Sequence, residues 1–468
     1  MTNFDDTTIE KIFGADDAEN ENPERFKEYF YKNRAFESLT AALPVRILVG
    51  HKGVGKSALL RKAYMEDEEN NIISVWLRPN DIVDIKVMAS GHNDFIMKIE
   101  AWKKGLLLEI ITHVFNSSFG EGSKIVVNDI KGASPKELLS LLKRTLEEHG
   151  KSSFVNVYID DIDRGWSASI EDIRIISALL SAIRDIGGEV DTVRFRIGLR
   201  SDVYFLVRTS DESTDKIERN VVWLRWNNDA ILRVAAKRIV SYFKLPISDN
   251  QIETMSQRNI SEQILSKVID PKFQGKGRWE DRPTYTILMS LTRARPRDLI
   301  KLFHLSAKNA YRDRVQMIHT EQLQDALEPY SQERLQDIIN EYKSEVPELE
   351  RLLLEMRPST KERRTAESYQ FTTADLRRKI NYALRHVNVT FTNGKVVSSG
   401  SIIQFLYKID FITARKVVDN GIDRKYFNEG RFLAPEFVDF GYDWEIHPAY
   451  RWALQPQNIN EVLDNLFK

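Results

Sequence analysis

The chain has 468 residues, 42% of them hydrophobic and 29% charged, with a formal net charge of −1. Such a length predicts two or three globular units, and the near-neutral charge excludes a global field that would draw the chain onto nucleic acid or an anionic membrane. The absence of cysteine excludes disulfides, thiolate metal sites and cysteine nucleophiles, and the eight histidines lack the close spacing of a zinc site.

The first two dozen residues are acidic and lack the basic start and apolar stretch of a secretory signal. No run approaches the roughly 18 apolar residues of a membrane helix, so the expectation is a cytoplasmic protein with no membrane contact. A helical pattern from Pro23 to Ala42 leads into the apolar run Val45–Val49, which reads as a buried strand. Further strand-like runs follow at Ile72–Leu77, Phe154–Ile159, Phe195–Leu199 and Val221–Leu224. Between them lie the helical segments Ser57–Met65, Phe95–Phe115, Pro135–His149 and Ile170–Ile186. Strands alternating with amphipathic helices predict a parallel sheet, because each parallel crossover needs a connection of helix length. Residues 1–228 therefore read as one α/β unit.

From Asp229 the strand-like runs disappear, and residues 229–312 read as helical, interrupted by a surface loop at Asp270–Pro283. Residues 313–468 open with a helix near Ser331, whose Leu335, Ile338, Ile339 and Tyr342 share one face. Pro347 starts a further helix and Pro358 stops it, and the charged stretch Pro358–Glu367 reads as a linker. Thr373 is placed to cap a helix through Asn381, and Ser399 or Ser401 another through Leu406. Phe432–Ile446 has the aromatic and glycine content of a hairpin. Helices followed by a hairpin suggest a winged-helix-like end.

Gly50-His51-Lys52-Gly53-Val54-Gly55-Lys56-Ser57, followed by Ala58, satisfies G-x-x-x-x-G-K-[ST] directly after a strand and at the opening of a helix. Its glycines let backbone amides turn toward phosphate oxygens, while Lys56 reaches the β- and γ-phosphates and the Ser57 hydroxyl ligates Mg²⁺. The fold class is thus a P-loop NTPase α/β sheet with ATP and Mg²⁺ as the expected ligands. Asp160, ending the strand at 154–159, is the second expected Mg²⁺ residue. Asp161 either orients the attacking water or caps a turn. Asp163 and Arg164 form a rim ion pair or offer a cation to a neighbouring subunit. Arg200, at the end of the next strand, either senses the γ-phosphate or pairs with Asp202 or Asp160.

The segments GHKGVGKSALL, IDDIDRGW, RIGLRSDVY, DKIERNVVWLRW and RARPRDLIKL, spread over Gly50–Leu302, resemble the STAND and KAP-like branch of the AAA+ superfamily. More narrowly they resemble bacterial P-loop ATPases encoded among anti-phage genes, and IHPAYRWAL at Ile446–Leu454 fits the winged-helix end of that group. The resemblance implies a helical lid in which Arg297 is a second sensor and Pro296 part of the adenine or ribose wall. Ala294 stands where the usual lid motif has glycine, and Arg295 and Arg297 are otherwise ordinary solvent-facing residues at a helix start. It also implies that Phe13–Glu19 packs on adenine, although the stretch equally suits a solvated acidic tail.

From this follows an ATP-driven switch that self-associates and acts with a separately encoded effector in defence against phage. The other reading is a DNA-binding ATPase of the origin-recognition or transposition-helper kind. Its basic stripe would comprise Arg377, Arg378, Lys379 and Arg385, with Lys361, Arg363 and Arg364, opposed by Asp439, Asp443 and Glu445. The aromatic residues Phe440, Tyr442, Trp444, Tyr450 and Trp452 read as a small core rather than a base-stacking platform.

Overall fold

Five strands form one sheet in the computed structural model: β1 (Val45–Gly50), β2 (Ile73–Leu77), β3 (Val155–Ile159), β4 (Val193–Arg200) and β5 (Val221–Trp223). Their order is β2-β3-β4-β1-β5 and every neighbouring pair is parallel. The structure describes residues 3–15, 21–119, 130–148, 154–210, 217–275, 280–359, 368–418, 421–430 and 441–455. Alternation along the strands sorts the side chains between two faces. Val75, Val155, Val157, Phe195 and Ile197 join an apolar core with Trp102, Leu106, Leu142, Leu179 and Ile183 from the helices Phe95–Phe119, Pro135–Glu148 and Ile170–Glu189.

The other face is polar where the helix Lys56–Glu69 crosses it. Asn156 Nδ2 and the Tyr158 hydroxyl both donate to Asp67 Oδ2, at 2.7 and 2.6 Å, and Arg196 donates to the carbonyls of Ala41 and Leu43, both at 2.9 Å. Burying these groups is tolerable because they are paired.

The chain divides into two compact units, residues 32–225 around this sheet, and residues 1–31 together with 226–468. The helical pattern expected over 23–42 is two helices, Pro23–Tyr29 and Arg34–Thr40, separated because Asn33 caps the second by accepting from the Phe36 amide. The amino-terminal helix Asp6–Phe13, unassigned in the sequence reading, packs against Asn228–Phe243 and Pro296–Arg312. Phe13 is buried there, stacked on Phe303 with ring centroids 5.0 Å apart. Residues 1–31 thus fold with the second unit, whereas the sequence grouped them with the sheet.

In that second unit the long helix runs Thr320–Tyr342, straight through Pro329, and buries Leu323, Leu327, Tyr330, Leu335 and Ile338. The expected surface loop at 270–283 contains the short antiparallel strands β6 (Lys272–Gln274) and β7 (Glu280–Pro283). Farther on, β8 (Gln370–Phe371), β9 (Ile412–Val418), β10 (Gly421–Lys425) and β11 (Asp443–Ile446) form an antiparallel sheet in the order β10-β9-β11-β8. It is accompanied by the helices Thr373–His386 and Ser399–Lys408, capped by Thr372 and Ser398. The hairpin therefore lies at 412–425 rather than 432–446. Of the stretch read as a hairpin only β11 is described as strand, and residues 431–440 lie outside the described residues. Trp444, Tyr450 and Trp452 are buried, with Trp444 edge-on to Tyr407 at 5.2 Å, as a small core requires, and Phe440 lies outside the described residues. Among the described residues no helix is long and apolar enough to cross a membrane.

A buried ionic cluster lies within the second unit. Arg293 holds Asp298 through Nε at 2.8 Å and Nη2 at 2.9 Å, while Arg334 reaches the same carboxylate at 3.0 Å. Burial pushes the Asp298 carboxyl up, but Arg293, Arg334 and Arg295 outweigh it and hold it well below the usual carboxylate range. A carboxylate depressed in the folded state contributes stability that is fully present above its unfolded pKa, about 3.9, and is lost as pH falls below it. We expect Asp298→Asn, which leaves the buried Arg293 without a carboxylate partner and Arg334 with Asp337 and Glu333 alone, to lose about 3–5 kcal/mol at pH 7. Urea melts followed by near-ultraviolet circular dichroism should show that deficit shrinking as pH is lowered toward 3.

Candidate functional site

Strand order reverses at β1, whose successor β2 lies at the far edge while β4 and β5 flank it. In an open parallel sheet that reversal opens a crevice beyond the carboxyl ends of the strands. Gly50 ends β1 and enters the loop. A Cβ there would lie 2.8 Å from Val54 Cγ2 and 3.2 Å from the Leu224 carbonyl oxygen, so the close approach requires glycine. Gly53 and Gly55 have φ of 80° and 95°, the left-handed region that glycine enters without cost. Gly55 then opens the helix Lys56–Glu69 with no side-chain cap, leaving its first amides to other acceptors.

Around this turn Gly50, His51 and Val54 are buried and Lys52 is exposed, while Gly53, Gly55, Lys56, Ser57 and Ala58 are half-buried. The Lys56 ammonium folds back over the loop and donates to the carbonyls of Gly50 at 3.1 Å and His51 at 3.0 Å. A cation held above inward-turned amides makes a concave site for an anion.

Asp160 follows β3 and is buried, hydrogen-bonded to the Ser57 hydroxyl. Burial pushes its carboxyl up, an effect that the Ser57 bond and the Lys56 charge offset only in part. Asp160 Oδ2 is buried without a hydrogen-bond partner. An unsatisfied carboxylate oxygen beside a hydroxyl is a hard-oxygen donor set, and it fits Mg²⁺ completed by phosphate and water. Room for that carboxylate comes from Gly198 on β4, where a Cβ would lie 2.4 Å from Asp160 Oδ1. Gly198 was not singled out in the sequence, although a lone glycine inside a strand pattern marks a close approach.

Asp161 is exposed and has φ of 53°, a conformation aspartate tolerates better than most residues. Asp163 does not pair with Arg164. Its partner is Arg200, whose Nε lies 3.2 Å away, and burial pushes the Asp163 carboxyl up to about 6 even against the Arg200 and Lys56 charges. Arg200 also forms a two-point pair with Asp202, Nε at 3.1 Å and Nη2 at 2.7 Å. The guanidinium at the end of β4 is thus held by two carboxylates, Asp163 and Asp202, and not by Asp160. Arg164 is exposed and has no ion pair among the described residues.

In the second unit Ala294 has φ of 52°, so alanine occupies a left-handed position of the kind that glycine enters without cost. Pro296 is the first residue of the helix Pro296–Arg312, and both it and Arg297 are half-buried. Arg295, expected to face solvent if it is an ordinary helix-start residue, is instead buried and paired with Asp410 at 2.9 Å. Phe13 is committed to Phe303, which removes it as a ring for adenine, and Asp16–Glu19 lie outside the described residues. On the proposed basic stripe, Arg377, Arg378 and Arg385 are exposed, Arg378 pairs with Asp375, and Lys379 bonds the Arg357 carbonyl at 2.9 Å. Lys361, Arg363, Arg364 and Asp439 lie outside the described residues. Asp443 is exposed, whereas Glu445 is buried between Arg424 and Arg451 and is no part of a charged wing.

Comparison with known proteins adds two family matches. Residues 44–190 match the model of an AAA domain, and residues 230–339 match that of a FunZ-associated C-terminal helical domain. The chain is also 21% identical to a putative transposon gamma-delta 80.3 kDa protein of Escherichia coli K12, over 98% of this chain and 70% of that protein. Among solved structures it is similar to Cdc6p from Pyrobaculum aerophilum, at 15% identity over 98% of both chains with a TM-score of 0.34. The Aeropyrum pernix ORC2 protein matches at 14% identity over 91% of this chain and 88% of that one, with a TM-score of 0.39. The RuvB Holliday junction branch migration motor of Thermotoga maritima matches at 12% identity over 91% and 99%, with a TM-score of 0.31. The AAA match spans the glycine loop and Asp160, and it carries the resemblance as far as an AAA domain and no narrower.

The Gly198 contact supplies a direct test of the site. Gly198→Ala should displace the Asp160 carboxylate and weaken Mg²⁺-dependent binding of a fluorescent ATP analogue by on the order of tenfold or more, a loss of about 1.4 kcal/mol per decade. Far-ultraviolet circular dichroism should stay unchanged.

Proposed function

We propose that this protein binds ATP with Mg²⁺ at the loop Gly50–Ala58, hydrolyses it slowly, and uses the cycle as a switch. The observation that carries the reading is the pairing of two halves: Lys56 folded over the glycine loop, and Asp160 with one buried, unpartnered oxygen beside Ser57. In this reading Ser57 and Asp160 would hold Mg²⁺, which neutralises charge on the phosphates. Lys56 binds the β- and γ-phosphates, and Asp161 orients the attacking water or takes its proton. Arg200 is assigned to the γ-phosphate, which must then compete with Asp163 and Asp202 for its guanidinium. Pro296 and Arg297 are assigned to the nucleotide as wall and second sensor, the latter supported by Arg297 having no hydrogen bond or ion pair among the described residues.

Self-association belongs to the same proposal, with the exposed Arg164 as the cation offered to a neighbouring protomer. A role in anti-phage defence with a separately encoded effector rests on the motif resemblance alone. The second reading, an ATPase acting on DNA, is favoured by one specific observation, the similarity along 98% of this chain to a putative transposon protein. The helix Thr373–His386, with four basic residues before His386 and one acidic residue, is the local basic surface it would use.

Lys56→Ala should abolish tight ATP binding, whereas Asp161→Asn should bind ATP with wild-type affinity and lose turnover about 100-fold or more. Isothermal titration and a phosphate-release assay separate the two, and equal loss of binding in both variants would defeat this division of labour. Light scattering on Asp161→Asn with ATP and Mg²⁺ should show a defined oligomer. A monomer whose turnover rises with duplex DNA would favour the second reading instead.

A further inference from the structure

Strand β3 and the residue after it carry three polar side chains in alternation, Asn156, Tyr158 and Asp160, while Val155, Val157 and Ile159 between them join the apolar core. Alternation puts the three on one face of the sheet, the face that the helix Lys56–Glu69 crosses. All three reach that helix, and together they reach both of its ends. Asp160 bonds the Ser57 hydroxyl in the first turn, and Asn156 Nδ2 and the Tyr158 hydroxyl donate to Asp67 Oδ2 in the last, at 2.7 and 2.6 Å. The spacings match: the helix rises about 15 Å from Ser57 to Asp67 and the strand spans about 13 Å from Asn156 to Asp160.

The contact at Asp67 is held from several sides. The Tyr158 ring is stacked on Trp76 of β2 with centroids 5.8 Å apart, and stands edge-on to Tyr64 of the same helix at 5.7 Å. The Asp67 carbonyl accepts from the Ile72 amide at 2.9 Å, which ties the end of the helix to the entrance of β2. Asp67 is buried, and burial pushes its carboxyl up by more than the Tyr158 and Asn156 bonds lower it. A carboxylate whose pKa is raised by folding works against stability at pH values above its unfolded pKa, about 3.9. The ionised group thus opposes folding, and what it supplies is an acceptor at one fixed place.

We propose that Asp67, held by Asn156 and Tyr158, is a positioning residue for the Mg²⁺ site: it fixes the offset of the helix along β3 and thereby the approach of Ser57 to Asp160. The inference rests on the reading of Ser57 and Asp160 as the Mg²⁺ pair. The amides and the lysine that would meet phosphate belong to the loop and the helix. Ser57 and Asp160 stand on different elements, and a slip of one helical residue, about 1.5 Å, is enough to part them.

The test measures the affinity of the full chain for a fluorescent ATP analogue across a Mg²⁺ titration and in EDTA. Tyr158→Phe keeps the ring and removes the hydroxyl. It should raise the Mg²⁺ concentration for half-maximal tightening on the order of tenfold, while affinity in EDTA stays at the wild-type value. In a Ser57→Ala background the same substitution should add nothing, and a further shift there overturns the proposal. If affinity falls by the same factor with and without Mg²⁺, the contact acts on the fold at large and the proposal is wrong. If Ser57→Ala shifts the Mg²⁺ midpoint and Tyr158→Phe does not, the metal reading stands and the positioning role falls. If wild type gains no affinity from Mg²⁺, or Ser57→Ala leaves the midpoint unchanged, the metal reading fails and takes this inference with it. Should urea melts show that Tyr158→Phe does not fold, Asn156→Ala removes the other donor. It should shift the Mg²⁺ midpoint in the same direction, and a wild-type midpoint there overturns the proposal.

Discussion

Placing a carboxylate in the interior at the end of β3 is the constraint around which the sheet-bearing unit is arranged. An isolated buried charge costs several kcal/mol even after relaxation, and three neighbours of Asp160 accommodate it against the repulsion of Asp161. Ser57 bonds it, Lys56 lies close enough to lower the penalty, and Gly198, which has no side chain, leaves it room. None of this satisfies the second oxygen. The unit thus carries a standing electrostatic debt that a divalent cation is suited to discharge, and the strand order that puts β1 between β4 and β5 brings the glycine loop to the same end of the sheet.

The two charged regions of the chain solve the burial of charge differently. In the second unit Asp298 is surrounded by more positive charge than it carries, and the surplus is divided among Asp410, Asp337 and the Tyr450 hydroxyl. His447, fully buried nearby, stays neutral because burial and then Arg424, Arg293 and Arg451 all oppose its protonation. It accepts from the Ala449 amide through Nδ1, which leaves Nε2 as the nitrogen that carries hydrogen toward the Tyr426 hydroxyl at 3.0 Å. In the sheet unit, Asp160 Oδ2 lies buried without a hydrogen-bond partner.

The five strands of the parallel sheet were legible because each contains a short apolar run, and the glycine loop because pattern and position agree. What escaped detection has physical reasons. The helix Asp6–Phe13 is a single amphipathic turn pair whose apolar residues, Ile9, Ile12 and Phe13, find partners only in distant helices. Strand β9 carries Arg415 and Lys416 in its middle, which hid its alternation, yet Asn420-Gly421 follows it and is the strongest short signal for a hairpin. The hairpin was placed instead on the aromatic stretch, whose rings serve a core. Arg200 and Arg295 show the limit of reading charge from sequence: the position of each was apparent, but whether a guanidinium is free or spent depends on carboxylates that approach from elsewhere in the chain.

The split of the second unit across the chain has a consequence for how the protein is made. The Gly14 carbonyl bonds His304 Nε2, a partner 290 residues later, and Phe13 waits as long for Phe303. A nascent chain emerges from its amino terminus first, and domains fold as units as they are completed. The sheet-bearing unit can therefore close while residues 1–31 still lack the helices they pack on, and Phe4, Ile9, Ile12 and Phe13 stay uncovered through much of translation.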